Sequence, residues 1–116
     1  MKKLIYVCSP YRGDYEQNLE NAKKYSRIIL DSGMVPVTPH MFFSELINDT
    51  DYKDREIGIA AGIELLKQCH QLWVFADNPS EGMQAEIDLA DRLVIPVYNG
   101  FKRLEKILKE CRNATS

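Results

Sequence analysis

Four short apolar runs, separated by stretches of helical periodicity, constrain this chain more than any other feature. Residues 4–8, 34–37, 72–75 and 93–98 are almost continuously apolar and rich in β-branched and aromatic side chains, the pattern of strands buried on both faces. Between and after them, Tyr15–Asp31, 51–68, 82–92 and 101–111 read as helices, with Asp14, Asp51 and Ser80 placed to cap the first three. This alternation predicts an α/β fold, a three-layer Rossmann-like or flavodoxin-like parallel sheet of four to five strands with helices on both faces. Pro36 argues for an edge position for the second strand. The core stripes are expected from Leu19, Ala22, Tyr25, Ser26, Ile29 and Leu30 on the first helix and from Ile59, Ile63, Leu65, Leu66 and Cys69 on the second. The last helix supplies Leu104, Ile107 and Leu108. Residues 38–51 read as a loop with one helical turn near 44–47, and 112–116 as a frayed tail.

With 116 residues, 45% hydrophobic and 28% charged, the sequence is expected to form one domain over 1–116. A net charge of −2 and a pI near 5.7 give no electrostatic footprint for nucleic acid or an anionic membrane, so a small molecule is the expected partner. The first apolar run is too short for a secretion signal, and no stretch approaches the roughly 20 apolar residues of a membrane span. Three cysteines without a CxxC pair suit a reducing cytoplasm, with Cys8 and Cys69 read as small buried apolar residues. His40 and His70 have no ligand partners at metal-binding spacing, so neither a metal nor a cofactor is expected.

The helix after the third strand carries the clearest chemical signal. On a helical wheel Met83, Ile87, Leu89, Ala90 and Leu93 share one side while Gln84, Asp88, Asp91 and Arg92 share the other, and Glu86 falls among the apolar residues. A carboxylate on a buried face is costly unless it is paired or needed; the competing reading is a glutamate that flanks the face and reaches water along its stem. Ahead of it, Ser80 and Gly82 leave the helix's free N–H groups open to a phosphate or carboxylate.

Ligands of open parallel sheets bind beyond the carboxyl ends of the strands, which here means the loops 9–14, 38–43 and 76–82. Ser9, Arg12, Gly13 and Asp14 stand beside a helix start, and an arginine grips phosphate bidentately. His40, Phe42 and Phe43 either line a site or pack beneath their loop. Neither the phosphate-loop nor the dinucleotide glycine pattern is present.

Lys3-Leu4-Ile5-Tyr6, the Ser-x-x-Arg-Gly loop and Ser80-x-Gly82-Met83-x-x-Glu86-x-x-x-Ala90 resemble the nucleoside 2-deoxyribosyltransferase superfamily, over roughly residues 3–98. That superfamily includes N-glycosidases of nucleoside 5′-monophosphates. The resemblance implies Glu86 as nucleophile toward the anomeric carbon and Tyr6 as the residue orienting it. It implies a substrate grip of Ser9, Arg12, Gly13, Asp14, His40, Ser80, Gly82 and Met83. Ser80 stands where the transferases carry an aspartate and the monophosphate glycosidases a serine, favouring a nucleotide over a nucleoside. The sequence departs from the pattern at Gly62, where the family has an acid that assists the departing base; Glu64, Asp54 and His40 are the alternatives. The expected function is hydrolysis or transfer at the N-glycosidic bond of a nucleotide. The alternatives are a non-catalytic nucleotide-binding protein that senses or sequesters its ligand, and a structural or interaction protein with an empty fold. Self-association as a homodimer or higher homo-oligomer is expected.

Overall fold

The computed structural model describes residues 1–48 and 50–115. Asp49, within the expected 38–51 loop, and Ser116, the end of the expected tail, lie outside the described residues. The chain runs β1 (Leu4–Cys8), α1 (Tyr15–Asp31), β2 (Val35–Val37), α2 (Pro39–Phe43), α3 (Tyr52–Lys67), β3 (Gln71–Val74), α4 (Glu81–Arg92), β4 (Val97–Asn99) and α5 (Gly100–Thr115). The four strands form one parallel sheet in the order β2-β1-β3-β4, with β2 on an edge as Pro36 requires.

Alternation along β1 divides the core. Tyr6 and Cys8 point to one face, where Leu66, Leu72, Met83 and Ala90 from α3, β3 and α4, and Cys69 from the link after α3, pack on them. Ile5 and Val7 point to the other, against Ile29 of α1, Trp73 of β3, Phe75 just after it and Leu104 of α5. On that second face the rings of Tyr25 and Phe75 stack at 4.2 Å, and Phe101 meets both edge-on. Gly100 is small for this reason: a Cβ there would sit 2.5 Å from the Phe75 ring.

The order of the strands creates a switch point. The chain leaves β1 in one direction along the sheet and β3 in the other, α1 covering one face and α4 the opposite face. The two exit loops therefore part between β1 and β3, the place where open parallel sheets bind ligands. Phe75 N–H donates to Cys8 C=O at 2.8 Å, so both strands run out to the same level before they diverge.

Several expectations are corrected. The helix in the 38–51 segment is Pro39–Phe43, with 44–46 as the turn that follows it, because proline is pre-organised for a first helical turn. Leu30 and Leu108 lie at the outer margins of their stripes and are exposed, and so is Ile59, in the first half of α3. The final helix continues through 112–115, where no glycine or proline interrupts it. The fourth strand is only Val97–Asn99 because Leu93 caps α4 and Val94 and Ile95 close it: Val94 N–H bonds Asp91 C=O at 3.1 Å and Ile95 N–H bonds Ala90 C=O at 2.8 Å. This double closure needs a left-handed residue after the helix, usually glycine.

Here that residue is Val94, at φ 59° and 87% exposed. A β-branched residue held there costs about 1–2 kcal/mol, and Val94 has little packing to lose. Val94→Gly is expected to stabilise the protein by about 0.5–1 kcal/mol, after the entropy that glycine adds to the unfolded chain. Urea unfolding checks it: the midpoint rises with an unchanged slope.

Candidate active site

Glu86 reaches the sheet because α4 is anchored one turn to either side of it. Ser80 begins the helix by accepting from Met83 N–H at 3.2 Å, and the buried Met83 and Ala90 press the helix onto β1 and β3. Glu86 lies between them on the same side, half-buried, with its carboxylate directed at β1. Tyr6 O–H donates a short hydrogen bond to Glu86 Oε2. Cys8, two residues along the same face of β1, places its Sγ 3.7 Å from Oε1.

The electrostatics follow from burial. Loss of water raises the Glu86 pKa above its ordinary value, and the hydrogen bonds from Tyr6 and Cys8 pull partly against that rise. Burial, then the neighbouring carboxylate, pushes the Tyr6 phenol and the Cys8 thiol far up, so both keep their protons and act as donors. Gly62 of α3 faces this group: a Cβ on it would lie 3.6 Å from the Tyr6 oxygen. Glu64 points to solvent and pairs with Lys67 at 3.1 Å. Asp54 accepts from Asn48 N–H at 3.0 Å and holds the loop before α3.

The other expected residues lie in and beside the loops that leave the strands, at the starts of α1 and α4 and in α2. Asp14 caps α1, accepting from Gln17 N–H at 3.2 Å, and Gly13 turns into that cap at φ 93°, a conformation that favours glycine. Arg12 is exposed on this loop, its backbone carbonyl accepting from Asn18 Nδ2 at 2.8 Å, and Ser9 is half-buried at the end of β1. Ser80 and Gly82 are exposed at the start of α4. The Met83 side chain belongs to the core beneath them and its N–H is held by Ser80, so the structure does not bring Met83 to a ligand-facing position. His40 is 6% exposed, its ring 4.2 Å from that of Tyr11 and 5.4 Å from that of Tyr15. Among the described residues neither of its ring nitrogens has a hydrogen-bond partner, and burial lowers its pKa by disfavouring the charged imidazolium. His70 serves the backbone instead, accepting from Leu4 N–H at 2.9 Å.

The arrangement is thus a carboxylate held by two donors at the switch point, with one helix start on each side of it. Residues 3–100 match a family described as a domain of unknown function, DUF7768. The chain belongs to that family. No curated protein matches it. Among solved structures it is similar to the 2-deoxyribosyltransferase of Bacillus psychrosaccharolyticus, with a TM-score of 0.67 and 20% identity over 81% of this chain and 69% of that one. It is also similar to a 2-deoxyribosyltransferase from Leishmania mexicana, with a TM-score of 0.59 and 17% identity over 82% of this chain. The chain spans 61% of the Leishmania protein's length. This DUF7768 member therefore has the nucleoside 2-deoxyribosyltransferase-like fold. Among the described residues no helix is long and apolar enough to cross a membrane.

Two features of the site escape a reading of the sequence. Cys8 reads as core filler, although its spacing of two from Tyr6 puts it on the face that meets Glu86. Tyr11 and Tyr15 carry no motif, and only the fold brings α2 against them.

A raised carboxyl pKa makes stability depend on pH with a definite sign. The folded state holds the Glu86 proton more tightly than the unfolded chain, so stability from this group is complete below the unfolded value of about 4.3 and is lost as pH rises through the folded value. Glu86→Gln keeps an acceptor for Tyr6 without the buried charge. It is expected to melt a few degrees above the wild type at pH 7, with the difference vanishing near pH 4; thermal scans across that range check it.

Proposed function

We propose that this protein cleaves or exchanges the N-glycosidic bond of a nucleoside 5′-monophosphate or a related nucleotide, with Glu86 as nucleophile. The observation that carries the reading is the carboxylate of Glu86, desolvated and gripped by Tyr6 at the switch point of the sheet. Desolvation strengthens a carboxylate toward the positive charge that develops at an anomeric carbon, and the Tyr6 hydrogen bond fixes its direction. A Glu86 oxygen forms a bond to the anomeric carbon while the bond to the base breaks, its electron pair leaving with the base. Water or a free acceptor base then attacks that carbon, giving up a proton, and the bond from the carbon to Glu86 breaks to restore the carboxylate.

The two helix starts support a phosphate. Ser9, Arg12 and Gly13 at the start of α1 and Ser80 and Gly82 at the start of α4 offer a guanidinium, hydroxyls and backbone N–H groups to an anion. An oxygen of a bound sugar or phosphate would also give His40 the partner it lacks among the described residues. Gly62 favours the second reading: with no carboxyl group at that point beside Tyr6, the departing base receives no proton from there. A pocket that holds a nucleotide intact, as a sensor or a sequestering protein does, needs none.

Incubation of the pure protein with a panel of ribo- and deoxyribonucleoside monophosphates, followed by chromatography and mass spectrometry, tests both readings. Free base and sugar phosphate are expected from the wild type and none from Glu86→Ala, while Tyr6→Phe loses about 10- to 100-fold in kcat. Intact nucleotides throughout, with some retained by the protein, would replace the enzyme with the binding protein.

The same reading places the protein in the cytoplasm and has it self-associate, the latter supported by the exposed Phe42, Leu46, Tyr52 and Ile59 on α2, α3 and the turn between them. Sedimentation equilibrium is expected to return at least twice the 13.4 kDa of one chain; a monomer at micromolar concentration rejects this part.

A further inference from the structure

The reaction proposed above gives the Cys8 thiol no part, yet its surroundings fit it for one. We propose that Cys8 is a positioning residue for the Glu86 carboxylate, the second half of a clamp whose first half is Tyr6; the role rests on Glu86 being the working group of the site. Tyr6 donates to Oε2 while the Cys8 Sγ lies 3.7 Å from Oε1, so each carboxylate oxygen has its own donor and both donors come from one face of one strand. The same sulfur lies 3.8 Å from the backbone carbonyl of Met83, one turn earlier on α4.

A thiol has a single proton for these two acceptors. It goes to the charged carboxylate when Glu86 is ionised, because charge-assisted hydrogen bonds are the stronger ones. It turns to the Met83 carbonyl when Glu86 is protonated or has given its charge to a new bond. The thiol can thus follow the charge state of Glu86 by rotating its S–H about the Cβ–Sγ bond, which a fixed donor such as a backbone N–H cannot do. At 1% exposure the sulfur is closed to solvent, so its contribution is hydrogen bonding rather than thiol chemistry. The ionisable groups facing Glu86 from β1 are Tyr6 and Cys8. Gly62 is what α3 presents to Tyr6, and the Cys69 thiol beyond α3, pushed up to about 12 by burial, bears on Tyr6.

The test reads Glu86 directly. Protein labelled with glutamate carrying 13C at the side-chain carboxyl is titrated by NMR, the Glu86 line being assigned by its loss in Glu86→Gln. Cys8→Ala and Cys8→Val, the latter keeping the core filled, are each expected to raise the Glu86 midpoint by about 0.5–1 pH unit. Cys8→Ser, which restores a donor, returns it toward the wild-type value. The acid limb of kcat/KM moves by the same interval while KM stays within about twofold, a split that a loss of packing alone does not produce. Midpoints in the folded Ala and Val variants that coincide with wild type overturn the proposal, as does a Ser variant displaced as far as Ala. The NMR midpoint does not require turnover. A wild type that cleaves no nucleotide removes the glycosidase reading, while the Cys8 clamp still stands or falls on the titration.

Discussion

The hydrogen bond between Tyr6 and Glu86 joins the centre of the sheet to the helix that covers it, and much of the molecule is arranged to hold it. A carboxylate taken out of water is destabilising unless donors replace the water it loses. Here a phenol and a thiol replace it in part, and the Glu86 pKa remains raised. The surrounding core offsets the remainder. Met83 and Ala90 lock α4 on β1 and β3, Leu66 and Leu72 close the same face, and the aromatic cluster of Tyr25, Phe75 and Phe101 stiffens the opposite one. The ion pairs of the surface, such as Arg27 with Asp31 at 3.0 Å, are exposed and contribute little beside this.

What the sequence revealed and what it hid divide along a physical line. Wherever a signal is local, it was legible: the apolar runs gave the strands, Asp14 and Ser80 gave the caps of α1 and α4, Pro36 gave the edge, and Glu86 showed itself as a carboxylate on an apolar face. Wherever the outcome depends on what another element covers, it was not. Ile59 has the spacing of a core residue and is 58% exposed, because periodicity says which side of a helix is apolar and not how far its neighbour reaches. Residues 93–95 look like a strand because Leu, Val and Ile are good strand formers, yet backbone hydrogen bonds to Ala90 and Asp91 turn them into the end of α4. Tertiary context outweighed propensity at both places.

The site divides in the same way. Tyr6 and Glu86 lie 80 residues apart and meet only because β1 is central and α4 packs on its even-numbered face. Cys8 was visible as a buried cysteine and invisible as a neighbour of Glu86, since the pairing of β1 with α4 is a property of the fold. The His40 environment is a purer case, with three aromatic rings from separate elements and linkers packed together although no two of them belong to a motif.

Likeness of fold fixes where chemistry takes place and leaves open which chemistry it is. At about one-fifth identity to the solved transferases, the transferable content is the switch point and the helix that overlooks it. Two residues of this chain bear on what that place could hold. Ser80 puts a neutral hydroxyl at the mouth of α4, where a negative charge would repel a phosphate. Gly62 presents no side chain from α3 to Tyr6, where a Cβ would lie 3.6 Å from the phenol oxygen. Under the proposed function, a neutral Ser80 leaves the start of α4 open to an anion, and the absence of a carboxyl group at Gly62 leaves the protonation of a departing base to another group.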